Sequence, residues 1–411
     1  METTIFYIII GILVLNYALE RLLDHLNISC MGQPIPKALE GVYDPEKYNK
    51  QQLYQKTNTQ FELISSTFSL MVVLVFLFIT GFARVHVFAA GITGNPIMQS
   101  LIFFGILMLA QDIMGTPFQI YKTFVIEEKF GFNKVTWKLF IGDKIKGWLL
   151  TTLLGGGILA LITWFYHRTT DMFWIYAWLM VGGVSLFFTM FYSNLIVPLF
   201  NKQTKLEHGE LKTAIEEFAV KVNFPVKDIY ILDGSKRSTK ANAYFTGLGS
   251  KKRIVLFDTL IKDLTTEEVV AVLAHEIGHY KKKHTLQGIV ISIVQMGVLF
   301  YLLSLFLGQG VFSRALGADR AVFHMGLVAF AMLYSPVSLA TELIMNVWSR
   351  KNEYQADDFA VQHFNGSALG NALKKLSINN LSNLTPHPAY VFFYYSHPSL
   401  HQRIVAMNNK G

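Results

Sequence analysis

The chain has 411 residues, of which 52% are hydrophobic and only 16% charged, with a net charge of +8. A soluble protein of this size carries charge on about a quarter of its residues, so the composition excludes an ordinary soluble domain and points to a polytopic membrane protein. The basic balance is no sign of nucleic-acid binding here, because the lysines mostly flank apolar runs. The single cysteine, Cys30, excludes an intramolecular disulfide and a thiolate metal site.

The N-terminal Met-Glu-Thr-Thr lacks the positive region of a cleavable signal, so the first apolar segment is expected to remain as an anchor. Seven segments are long enough for a hydrocarbon core of about 30 Å: residues 4–23, 63–83, 97–115, 147–166, 173–199, 285–308 and 322–345. Of the 36 lysines and arginines, 32 lie in or beside the segments after spans one, three, five and seven. By the positive-inside rule the N-terminus is then external, and the long insert and the C-terminus are cytoplasmic. Asn16, Asp112, Asn194 and Glu342 fall within or at the ends of spans, where polar groups face a protein or water-filled interior or bond between helices.

These spans divide the chain into a five-span bundle (1–200), an insert (201–284), two further spans (285–345) and a C-terminal segment (346–411). The insert reads as a helix over 204–222, a strand from Asp228 to Leu232, and a hairpin around Tyr244 and Ile254 to Leu256. Gly247, Gly249 and Ser250 would make its turn. Asn242-Ala243-Tyr244 is a candidate exposed edge to which an extended peptide could add as another strand; a hairpin strand that only supports the fold is an equal alternative.

The next element carries the strongest chemical signal. Thr265 and Glu268 make a capping box ahead of the apolar Val269, Val270, Val272 and Leu273, and the helix so begun contains His275-Glu-Ile-Gly-His279. On a helix, residues four apart lie about 40° from one another around the axis and about 6 Å along it, so both imidazoles address one point. Two nitrogen ligands suit zinc, and Glu276, on the neighbouring face, is the candidate general base. Lys281, Lys282 and Lys283 end this helix at a membrane boundary. Zinc needs a third protein ligand and an open position, for which Glu353 is the candidate; Asp357, one turn on, could accept the free ring N–H of a ligand histidine. His279 lies about six residues before span six and Glu353 about eight after span seven, which places the metal about 10 Å from the membrane boundary.

With these residues the chain resembles the type I CAAX prenyl proteases, integral-membrane zinc endopeptidases. The match includes Gly41-Val-Tyr-Asp-Pro-Glu-Lys-Tyr48, Phe124-Val-Ile-Glu-Glu-Lys-Phe-Gly-Phe-Asn133, Asn242-Ala-Tyr244, the His275 to His279 motif, Ser349-Arg-Lys-Asn-Glu353 through Asp357, and Ser396-His-Pro398 with Arg403. The resemblance implies a mainly α fold: seven transmembrane helices form a barrel around an intramembrane chamber, with a small α+β zinc domain on the cytoplasmic side. It implies His275, His279 and Glu353 as metal ligands, Glu276 as catalytic base and Asp357 as partner of a ligand ring. It further implies Asn242, with Ala243 and Tyr244, as substrate contacts, and His397 with Arg403 as groups that stabilise the oxyanion. By residue type alone His363, His387 and His401 compete with His397.

The implied substrates are lipidated, membrane-associated proteins cut near a C-terminal CAAX box, with membrane lipids as the other partners and a monomer as the working unit. Such a site would lie in the endoplasmic reticulum of a eukaryote or the inner membrane of a bacterium. The compact length fits a bacterial member, in which prenylated partners need not be present. The alternative is therefore a membrane quality-control protease with no lipid requirement. A non-hydrolytic zinc-binding membrane protein is a third reading, against which the intact Glu276 stands.

Overall fold

The structure, a computed structural model, describes residues 1–224, 226, 228–246 and 253–410. Its first half is a series of long apolar helices: α1 (Glu2–Ser29), α2 (Pro45–Phe78), the short α3 (Gly81–Ile92), α4 (Pro96–Tyr121), α5 (Trp137–Leu150), α6 (Gly156–Thr169), α7 (Phe173–Leu195) and α8 (Val197–Phe200). Single π-turns carry α4 on to Glu127 and join α5 to α6. Together with α12 (His284–Leu307) and α14 (Phe323–His363), seven helices are long and apolar enough to cross a membrane.

Two expected spans differ most from the helices that form. The span expected at 63–83 belongs to a helix that begins much earlier, where Asp44 accepts the N–H of Lys47 and Pro45 occupies the first helical position. That helix ends at Phe78, because Thr80 takes a left-handed conformation (φ 55°) and the chain turns into α3. The span expected at 322–345 does not stop there. It continues without a break as the 41-residue α14, with Pro336 inside it, and carries Glu353 and Asp357 on the same rod.

At most 17% of the apolar window of any span is buried. A solid seven-helix bundle would bury one face of every helix, so the spans form a wall one helix thick with a second free face inside. At one end of this wall Ile9, Leu77, Phe82, Phe103, Leu316 and Met325 pack together. They come from α1, α2, α3, α4, α14 and the turn after α13 (Gly310–Ala315), so that end is plugged.

The other end carries the extramembrane elements: β1 (Gln203–Lys205), α9 (Glu210–Lys221), β2 (Ile229–Leu232), β3 (Ala243–Thr246), β4 (Arg253–Phe257), α10 (Asp258–Asp263) and α11 (Thr266–Lys281), then α15 (Gly366–Asn379), α16 (Pro388–Tyr394) and α17 (Leu400–Asn408). The helix expected over 204–222 starts only at Glu210; before it, Gln203–Lys205 pairs antiparallel with β2, against Tyr230 to Leu232. Sheet pairing takes these residues because Asp233 holds the Asn201 side chain and the Lys202 N–H, fixing the entering chain beside β2. The strand order is β1-β2-β4-β3, with β2 and β4 parallel and the outer pairs antiparallel. The expected hairpin is β3 and β4, and β3 is an edge strand; Gly247, Gly249 and Ser250 lie outside the described residues. The sheet, α9, α11 and α15 share the largest apolar core, which includes Ile215, Leu256, Leu260, Ile277 and Leu369.

Candidate metal centre

Helix α11 starts at a capping box: Thr265 Oγ1 accepts the N–H of Glu268, and Glu268 accepts the N–H of Thr265. Lys375 Nζ, 2.7 Å from Glu268 Oε2, ties this cap to α15. Burial of Val269, Val270, Leu273, Ala274 and Ile277 fixes the rotation of α11 and turns His275 and His279 toward α14. Between the two histidines, Gly278 has no side chain to hold α14 off. A Cβ there would lie 3.0 Å from Ala356 Cα and 3.0 Å from Phe359 Cβ. The close approach brings in Glu353, one turn before Ala356.

Glu353 Oε1 lies 3.2 Å from His279 Nε2, and Oε2 lies 3.4 Å from His275 Nε2. The two Nε2 atoms are 3.2 Å apart, and the donor atoms of all three residues fall within 4.8 Å of one another. Among the described residues no other three His, Cys, Asp or Glu side chains meet in this way. Glu353 is 3% exposed, and its Oε2 is buried with no hydrogen-bond partner. Lone pairs of two imidazoles and a carboxylate thus converge where hydrogen bonds cannot satisfy them all, an arrangement that a divalent cation completes. Two nitrogens and one carboxylate oxygen, with a position left over, are a donor set suited to zinc.

Around this cluster the structure assembles most of the other residues singled out from the sequence. Asp357 Oδ1 lies 2.8 Å from His275 Nδ1. Arg403 binds Asp357 through both Nε (2.9 Å) and Nη2 (2.6 Å), and its Nη1 is 3.6 Å from Glu353 Oε2. His397 Nε2 reaches to 3.3 Å from Glu353 Oε1 while its Nδ1 meets Ser396 Oγ at 2.9 Å. Burial and the charge of Arg403 oppose a protonated His275, but the neighbouring carboxylates of Asp357 and Glu353 outweigh them and raise its pKa to about 9. Glu276, next to His275 on α11, lines a narrow cleft shared with Ala243 and Tyr244 of β3. Asn242 is exposed at the start of that strand, and its carbonyl accepts the N–H of Phe257. His363, His387 and His401 take no part: His363 bonds the carbonyl of Phe359, and His387 caps α16.

Three participants escaped the sequence reading. His284 Nδ1 lies 3.0 Å from His279 Nδ1, and its Nε2 lies 3.0 Å from Gln355 Oε1. Arg350 Nη1 donates to the carbonyls of Val391 and Tyr395 at the end of α16, which sets the path of Ser396-His397-Pro398. The signal for Arg350 was its place in the Ser349 to Glu353 motif; His284 had been hidden behind three lysines that explain themselves as a membrane flank.

Two family descriptions match the sequence. "CAAX prenyl protease N-terminal, five membrane helices" matches residues 24–202, and "Peptidase family M48" matches residues 205–410. The chain belongs to peptidase family M48. Similar proteins include CAAX prenyl protease 1 of Saccharomyces cerevisiae, 34% identical over 98% of this chain and 94% of that protein. CAAX prenyl protease 1 homologues of Dictyostelium discoideum (36%, covering 95% and 91%) and Homo sapiens (33%, covering 91% and 88%) are also similar. The crystal structure of S. mikatae Ste24p superposes with a TM-score of 0.93 at 35% identity, over 98% of each chain. This M48 chain is accordingly a multi-pass membrane metallopeptidase, with its His/Glu cluster at one end of a hollow helical wall.

Proposed function

We propose that the protein is a zinc endopeptidase that cuts prenylated CAAX proteins near their C-terminus. The observation that carries this reading is the convergence of His275, His279 and Glu353 at the end of a one-layered wall of membrane helices opposite its apolar plug. Zinc held by these three residues would lower the pKa of a water molecule and polarise the scissile carbonyl. Glu276 takes the proton of the attacking water on its carboxylate and passes it to the leaving amine. Beside it, the free edge of β3 receives the substrate as a further strand, with Asn242, Ala243 and Tyr244 as contacts; the shared cleft between that edge and Glu276 supports this assignment. His397 presents Nε2 to the site from its loop and is the donor to the developing oxyanion. Arg403 fixes Asp357 with two N–H groups, which holds the His275 ring, and keeps Nη1 toward the same oxyanion.

The lysine and arginine asymmetry of the loops supports a cytoplasmic active site and C-terminus with an external N-terminus, in the endoplasmic reticulum if the source is eukaryotic. A hollow interior accounts for the lipid: burial of each CH₂ of a prenyl chain contributes about 0.8 kcal/mol. The test is cleavage of a farnesylated CAAX peptide by the purified, zinc-loaded protein, beside the unlipidated peptide and Glu276→Gln. Cleavage that needs both lipid and Glu276 is the expected result. Equal cleavage of both peptides, lost in Glu276→Gln, would replace this reading by quality-control proteolysis. Zinc binding without any cleavage would replace it by the non-hydrolytic one.

A further inference from the structure

As a metal ligand His279 offers the lone pair of Nε2, the nitrogen that faces Glu353 Oε1 and His275 Nε2 at 3.2 Å each, which leaves its ring proton on Nδ1. That Nδ1 is 3.0 Å from Nδ1 of His284, the first residue of α12, which is only 6% exposed. Two ring nitrogens at this distance need one donor and one acceptor. Because His279 donates, His284 accepts on Nδ1 and keeps its own proton on Nε2. Its Nε2 is 3.0 Å from Gln355 Oε1, an atom that only accepts. Each proton in the series therefore has one place, and each donor meets an acceptor.

We propose that His284 and Gln355 are positioning residues for the metal centre, a neutral relay that fixes the tautomer and ring orientation of His279. The proposal rests on the reading of His279 as a metal ligand. The backbone supports it. Only four residues separate His279 from His284, and the chain turns between α11 and α12 through Lys283 in the left-handed region (φ 60°), which side chains with a Cβ adopt at an energetic cost. Gln355 lies two residues beyond Glu353 on α14, so one helix supplies both the candidate ligand and the end of the relay. The two ligand rings are thereby made unequal. His275 leans on the Asp357 carboxylate and gains electron density, whereas His279 leans on an uncharged imidazole.

The test uses the full-length protein in detergent, with His284→Leu, His284→Asn, Gln355→Leu and, as reference, His279→Ala. Zinc affinity is measured by chelator competition, and the melting temperature is recorded with and without zinc. His284→Leu is expected to weaken zinc binding about 10- to 100-fold and to shrink the gap between the two melting temperatures. His284→Asn, whose Oδ1 can replace Nδ1 as acceptor, should retain more zinc than His284→Leu. Gln355→Leu should weaken binding in the same direction by a smaller factor. A packing role alone would lower both melting temperatures equally and leave zinc affinity unchanged, which overturns the relay. If His284→Leu does not fold, Gln355→Leu decides: unchanged affinity there overturns the proposal. Loss of zinc in His279→Ala with no change in the His284 and Gln355 variants refutes the relay alone. Undiminished zinc binding in His279→Ala overturns both the relay and the metal-site reading beneath it.

Discussion

Replacing Gly278 with alanine asks whether the nearness of α11 and α14 is what assembles the donor set. The new Cβ would lie 3.0 Å from Ala356 Cα, 3.0 Å from Phe359 Cβ and 3.1 Å from the Ala356 carbonyl oxygen. Carbon atoms in good contact sit about 3.5 to 4.0 Å apart, so the two helices must separate by about 0.5 Å at this level. Two of the opposing atoms are backbone, and no rotamer change relieves them. Overpacking of this kind costs about 1 to 3 kcal/mol, against which alanine returns about 1 kcal/mol of helix propensity relative to glycine. Stability should therefore fall by no more than about 2 kcal/mol. Metal binding should suffer more, because ligand distances tolerate only about 0.2 Å while Glu353 moves away from His275 and His279 by more than that. We expect zinc affinity about 10- to 100-fold weaker, read by graded chelator competition on the folded protein, with peptidase activity falling in proportion. Gly288→Ala is the control, since a Cβ there meets only Trp348 at 3.9 Å. Wild-type zinc affinity in Gly278→Ala would refute the reasoning outright.

Other substitutions probe the surrounding charges. Asp357→Ala leaves the buried guanidinium of Arg403 without its carboxylate, and a loss of about 3 to 5 kcal/mol is expected in thermal or denaturant unfolding. Burial works against the charge of Glu268, but Lys375 and the N–H of Thr265 outweigh it and hold its pKa below 4.5. This stabilisation is present above 4.5 and is lost as pH falls through the lower folded value. Glu268→Gln should accordingly melt below wild type at pH 7 and converge with it in acid. In the metal-free protein the His275 proton contributes stability that is complete below pH 6.5 and lost as pH rises through about 9. Zinc must displace that proton, so the rise in melting temperature on adding zinc should grow between pH 6.5 and 9.

Features set by neighbouring residues were legible in the sequence. The capping box at Thr265, the four-residue spacing of the histidines and the Glu353 to Asp357 interval each follow from helix geometry, and long apolar runs mark the spans. Less was legible where contacts across the fold decide. The first half of α2 is polar and reads as a loop, although Asp44-Pro45 is a helix start. The strand at Gln203–Lys205 exists only because β2 lies beside it and Asp233 anchors its entry. His284 and Gln355 are ordinary flank residues until the turn at Lys283 and the approach of α14 bring them onto His279. The closeness of the two ligand helices hangs on a glycine whose importance appears only opposite Ala356.

The continuity of α14 makes it a lever. From His324, buried in the plugged end, to Glu353 the same helix runs 29 residues, about 44 Å at 1.5 Å per residue, with no loop to absorb movement. A tilt of one degree about the plugged end displaces Glu353 by about 0.8 Å, several times the tolerance of a metal bond. The apolar packing of Phe103, Leu316 and Met325 at that end is thus the fulcrum on which the geometry of a metal centre across the membrane depends.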